Sequence, residues 1–189
     1  MSAVSAPFGL RPSYHPSGVI RPKLWTLANS YAENVFMNGP VKIIEASGVL
    51  GNADPAERAV GVFQGVQYTD ITGRPIVSNW WVSGTTAQAN TPIDVYYTDD
   101  PWITYAIQAN GSLAATAMGH YADWTALSGS TGTGLSTVML DTATLLATIN
   151  GLQIIGFTPA PDNVIGDAFT IVDVRIAEHQ YLANSPTLA

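Results

Sequence analysis

From Leu24 onward, apolar residues recur at every second position in short runs bounded by Gly, Pro, Asn or Asp. Period-two alternation marks a strand with one buried face, and runs this short leave no room for long helices, so the chain is expected to be all-β. Val41 to Glu45 is one such run. Val60 to Tyr68 is another, with Val60, Val62 and Val66 on one parity and Gly61 and Gly65 on the other, which predicts a close approach over the glycines. Ile93, Val95 and Tyr97 alternate before Asp99-Asp100-Pro101, and Ile103, Tyr105 and Ile107 alternate after it. That pattern reads as a hairpin whose second strand closes at Asn110-Gly111. Further strands are expected at Thr137–Leu140, Gln153–Phe157 and Phe169–Ala177, where Val172, Val174 and Ile176 oppose Asp173 and Arg175. One stretch breaks the rule. Leu113, Ala117, Tyr121 and Trp124 are spaced by four, four and three, one face of a short helix, with Gly119 counting against it.

Residues 1–23 follow a different logic. Prolines at 7, 12, 16 and 22 each fix φ and remove a donor, which discourages regular helix and sheet alike. In polyproline-like geometry the segment spans about 70 Å at roughly 3.1 Å per residue, more than a local loop needs. Its apolar residues Phe8, Leu10, Tyr14, Val19 and Ile20 would be of no use to a solvated tail, the alternative reading of a chain end. The segment is therefore expected to be an extended arm, ordered when draped over a neighbour. Phe8, Leu10, Arg11, Tyr14, His15 and Arg21 are its candidate partner-binding residues. Behind it the sequence divides into a β module over 24–127 with the short helix, a Gly/Ser/Thr loop at 128–134 reading SGSTGTG, and 135–189 as a second β module or a continuation of the same body. One or two small barrels or sandwiches fit this plan.

Charge limits the partners. Only 11% of the 189 residues are charged, against roughly 25% in a typical soluble protein. The surface is covered instead by Thr, Ser, Asn, Gln, Gly and Ala, a skin with little charge repulsion that suits a protein held in an assembly. The net charge is −7, yet Arg11, Arg21 and Lys23 give +3 to the first 23 residues, leaving four bases and fourteen acids, or −10, for the body. Such a body does not neutralise nucleic-acid phosphates. Cysteine is absent, which excludes disulfides, thiolate metal sites and cysteine nucleophiles. Neither a secretory apolar region nor a stretch of 18 apolar residues is found, so membrane partnership is not expected.

The residues that carry chemistry do not converge in sequence. His15, His120 and His179 lie in separate segments without zinc-binding spacing and are expected as surface or interface groups. No serine sits in a GxSxG elbow, and the loop at 128–134 lacks the lysine of a phosphate loop, so it reads as a flexible connection. Asp99-Asp100 and Asp162 with Asp167 lack calcium-loop spacing and read as turns. Trp80 and Trp81 are consecutive, so one would point outward on a strand and become a candidate sugar-stacking ring. The expectation is a non-enzymatic protein without metal or cofactor.

The string Ala6-Pro7-Phe8-Gly9-Leu10-Arg11-Pro12, followed by His15-Pro16-Ser17-Gly18, resembles the opening of small head proteins of short-tailed, cyanophage-like phages. Gly39-Pro40-Val41-Lys42, the block Ala59 to Tyr68, and Asp162-Asn163 with Gly166-Asp167 ahead of the last strand are similar to the rhythm of capsid cement, or decoration, proteins. The resemblance implies a virion component on the capsid exterior, assembled in the host cytoplasm. Its partners would be the major capsid protein and further copies of itself, often as a trimer, bridging neighbouring capsomers. The rival from another class is a carbohydrate- or receptor-binding β module of a phage fibre or cell-surface protein.

Overall fold

The computed structural model describes residues 2–182, so Met1 and residues 183–189 of the expected segments lie outside it. The described residues form thirteen strands: β1 (Arg11–Tyr14), β2 (Lys23–Thr26), β3 (Val35–Phe36), β4 (Pro40–Ile43), β5 (Leu50–Asn52), β6 (Gly61–Thr69), β7 (Pro75–Ser78), β8 (Trp80–Trp81), β9 (Asp94–Thr98), β10 (Thr104–Gln108), β11 (Tyr121–Ala122), β12 (Leu152–Phe157) and β13 (Ile171–Ile176). The fold is all-β, as the alternation requires. Its helical content among the described residues is two single 3-10 turns, Ala115–Ala117 and Thr142–Thr144, and no helix there is long and apolar enough to cross a membrane.

Two antiparallel sheets dominate, in the orders β2-β9-β6-β4-β5, with β7 also on β6, and β1-β10-β13-β12-β11. Each curls so that its ends approach. Leu27 bridges Leu50 in the first, and Leu140 bridges both Trp124 and Ala109 in the second, although neither sheet closes into a barrel. Each sheet has its own core. Val41, Val60, Phe63, Val66, Trp81 and Val95 belong to the first, and Tyr105, Ile107, Trp124, Leu152, Val172 and Val174 to the second. Ala53, Ala59 and Val62 reach from the first sheet's half into the second core, so the two halves share a packed boundary.

The expected hairpin around Asp99-Asp100-Pro101 is not one. β9 pairs with β2 and β6 while β10 pairs with β1 and β13, so residues 99–103 carry the chain from one sheet to the other. This crossing, rather than the loop at 128–134, separates the halves. A turn between two alternating runs is compatible with either arrangement, because alternation specifies buried faces and not neighbours.

The short helix at 113–124 is also replaced. Gly119 takes φ +85°, Tyr121–Ala122 pairs with β12, and Trp124 is buried in the second core with its Nε1 donating to Ala53 O at 3.2 Å. The expected close approach over the Val60–Tyr68 glycines is present at Gly61, where a Cβ would fall 1.5 Å from Thr98 O.

The loop at 128–134 is packed, not a loose connector. Met37 N–H donates to Gly134 O at 2.9 Å and Asn79 Nδ2 to Thr133 O at 2.8 Å, joining the loop to the first half. Phe36 and Trp80 stack there at 5.4 Å with 5° between their planes, and a Cβ on Gly129 would lie 2.3 Å from the Phe36 ring. Glycine is needed at 129 for space. Gly132 in the same loop would meet nothing closer than 3.8 Å. Gly129→Ala is therefore expected to lower stability by roughly 1–3 kcal/mol through overpacking, whereas Gly132→Ala stays within about 0.5 kcal/mol. Urea unfolding of the two variants measures the difference; equal, small effects would mean that the loop is only a linker.

Candidate partner-binding surface

The N-terminal segment lies on its own body. Ser2 is buried, its N–H donates to Asp162 O at 3.1 Å, its hydroxyl contacts the Asp167 carboxylate, and its carbonyl accepts from Phe169 N–H at 2.8 Å. Gln108 clasps the next stretch, accepting from Ala6 N–H at 2.8 Å and donating to Val4 O at 3.0 Å. Leu10 N–H then donates to Asn38 O at 2.8 Å, and Asn38 Nδ2 returns a bond to Phe8 O at 3.1 Å. Gly9 makes this pass with φ +73°, and a Cβ there would sit 2.4 Å from Asn38 O. No other residue type fits both demands. β1 next pairs along β10, with Arg11 opposite Ala106 and Tyr14 opposite Thr104.

The six candidate residues consequently separate. Leu10 is fully buried in the second core, so it serves folding and offers nothing to a partner. The expectation of an arm ordered only on a neighbour is corrected accordingly: proline excludes a residue from donating to a ladder but not from an edge strand, and Pro12 sits on such an edge. Phe8 is half-buried beneath the Arg11 guanidinium, 4.7 Å from its ring centroid. Arg11, Tyr14 and Arg21 are exposed, Tyr14 to 59%. His15 is half-buried, its Nε2 lying 3.1 Å from Asp100 Oδ2.

Residues 15–22 cross from the second sheet to the first along a cleft of about 780 Å³ lined by His15, Arg21, Lys23, Asp99, Asp100 and Tyr181. Lys23 Nζ lies 2.6 Å from the buried Asp99 carboxylate, and that bond holds the ammonium above its ordinary lysine pKa. β2 follows at the first sheet's edge with Leu24 52% and Trp25 45% exposed. Arg11, Tyr14, Val19, Arg21, Lys23, Leu24 and Trp25 thus form an exposed apolar and basic stripe along the chain, with Leu24 on the opposite side of β2 from Lys23 and Trp25. β2 carries this exposed segment past residue 23, where the arm was expected to end.

The other candidates are accounted for locally. Trp80, the outward ring of its pair, is covered by Phe36, and Trp81 is buried. Asp100 Oδ1 accepts from Trp102 N–H at 2.9 Å, a turn contact. His120 is half-buried, its backbone N–H donating to Ala117 O at 3.0 Å. His179, expected at a surface, is 1% exposed and bridged to Ala59 where the C-terminal segment returns to the first half. Gln180 locks that return, accepting from Ile43 N–H at 2.8 Å and donating to Ile43 O at 3.1 Å. Comparison with family models, curated proteins and solved structures gives no match.

Leu10→Ala should cost about 2–5 kcal/mol of stability by leaving a core cavity, and Tyr14→Ala no more than about 0.5 kcal/mol, read from urea midpoints. Burial depresses the His179 pKa, with the nearby Asp99 charge offsetting part of the effect, and its Nδ1 accepts Tyr181 N–H at 3.1 Å, which a second ring proton would break. The unfolded chain then binds more protons than the folded one below the ordinary value of about 6.5, so this contribution is complete above that pH and is lost as pH falls towards the folded pKa. The urea midpoint should drop between about pH 7 and 5, and drop less in His179→Gln.

Proposed function

We propose that the chain is a non-enzymatic structural protein of a virion, a cement or decoration protein that binds the capsid exterior and bridges neighbouring capsid subunits. The observation that carries this reading is the stripe from Arg11 to Trp25. It joins exposed apolar groups to Arg11 and Arg21, besides Lys23 held by Asp99, and it runs from one sheet to the other on backbone already fixed by hydrogen bonds. A surface ordered before binding avoids the entropy cost that a free tail would meet on docking.

The sparse charge leaves little repulsion between copies, and the reading includes self-association into a homo-oligomer, a trimer by the resemblance described above. Function is then mass action: a protein that binds only the assembled shell stabilises it by its own binding free energy, and several attached copies multiply modest contacts. Tyr14 and Trp25 are the side chains best suited to anchor such contacts. Arg11 and Arg21, without ion-pair partners among the described residues, are available to carboxylates on a partner.

The test uses capsids stripped of the protein, mixed with the full chain or with the Arg11→Ala/Tyr14→Ala/Arg21→Ala variant. These substitutions lie outside the core, so the variant should fold normally and lose at least about tenfold in capsid affinity, the equivalent of 1.4 kcal/mol. A variant that decorates capsids as tightly as the parent would place attachment elsewhere, and a parent that does not bind them at all would overturn the reading.

A further inference from the structure

The crossing at residues 99–103 leaves Trp102 59% exposed, on a backbone pinned by a turn contact. Its N–H is tied to Asp100 Oδ1 at 2.9 Å, and the Arg175 guanidinium lies over its ring at 5.4 Å from the centroid. Beside it, Tyr121, Gln153 and Arg175 stand in one register row across β11, β12 and β13. They are chained by hydrogen bonds, Arg175 Nη2 donating to Gln153 Oε1 at 3.0 Å and Gln153 Nε2 to Tyr121 Oη at 3.1 Å. These four residues, with Pro101 and Ile149, line a shallow cleft of about 180 Å³.

The chain of bonds leaves capacity unused. The tyrosine hydroxyl hydrogen, the second Gln153 amide hydrogen and the remaining guanidinium N–H groups have no partners within the row. Among the described residues no carboxylate lines the cleft and none lies within ion-pairing distance of Arg175. The site therefore combines an aromatic platform, apolar walls from Pro101, Ile149, Ile176 and Leu182, two neutral polar side chains and one positive charge without an ion-pair partner among the described residues.

We propose that this cleft binds a carboxylate-bearing pyranose of the uronic-acid class. The sugar's apolar C–H face rests on Trp102, its carboxylate pairs with Arg175, and its hydroxyls bond Gln153 and Tyr121. Each feature narrows the ligand. A purely apolar partner would bury the polar row unpaired, a small inorganic anion would gain nothing from the indole, and a neutral sugar would leave the guanidinium unused. Of the other tryptophans, Trp81 and Trp124 are buried, Trp80 is stacked under Phe36, and Trp25, though exposed, lies on β2 and does not line this cleft. This site shares no residue with the stripe proposed for capsid attachment, so either assignment stands if the other fails.

Titration of the full chain with glucuronate, glucose and acetate, followed by saturation-transfer NMR on the ligand protons, tests the assignment. Glucuronate should bind saturably, with glucose and acetate each at least about tenfold weaker, since losing a hydrogen bond to a charged group or the stacking face each removes that much. Trp102→Ala and Arg175→Gln should each weaken glucuronate by a similar factor, and Trp102→Phe should retain part of the binding, all with unchanged circular dichroism. Absence of saturable glucuronate binding, equal binding of acetate, or indifference to Trp102→Ala would overturn it.

Discussion

Every residue of Thr104–Gln108 is buried, and a strand so placed must find hydrogen-bond partners along both edges, because unpaired backbone groups away from water are costly. β13 supplies one edge. The other is supplied from the opposite end of the chain, by Arg11–Tyr14. Once that pairing is made, Leu10 falls into the core, Gly9 must pass under Asn38 O with positive φ, and residues 15–22 must cross the surface to reach β2. The exposed stripe is thus a by-product of closing β10. Residues 179–180 make the complementary move, with Gln180 and His179 returning to the first half, so this segment and β1 with its approach both tie the two halves together.

Much of the fold was legible in the sequence, in a specific sense. Alternation located the strands at Val41–Glu45, Val60–Tyr68, Gln153–Phe157 and Phe169–Ala177 close to where they occur. It could not show which strands are neighbours. Val95 and Tyr105 sit on either side of a good turn sequence and still belong to different sheets, since a period of two reports a buried face and is silent about the edges. The spacing of Leu113, Ala117, Tyr121 and Trp124 failed for a related reason: residues on a loop and a short strand can all reach one core without sharing a helix face. Composition misled at 128–134, where glycines that admit the Phe36 ring look the same in sequence as glycines that confer flexibility.

The candidate surface was legible in part. Tyr14, Arg11 and Arg21 are where an exposed basic arm would put them, but Leu10 is drawn inward because its neighbours carry it past an unpaired strand edge. Trp102 had no sequence signal beyond its position after two acids and a proline. Its cation partner arises because β10, which follows it, pairs with β13, and only the three-dimensional register brings Arg175, Gln153 and Tyr121 into line.

In this account the N-terminal segment is part of the folded body and presents a surface fixed before any partner arrives. Amide hydrogen exchange of Leu10 tests that most directly, because its N–H is bonded to Asn38 O at 2.8 Å inside the shared core while its neighbours carry the proposed contact groups. In the isolated protein the account predicts protection of the Leu10 amide comparable to that of Val172 and Val174 in β13. Exchange at the rate of an unstructured peptide would contradict it, and would return the segment to a free arm that orders only on a partner.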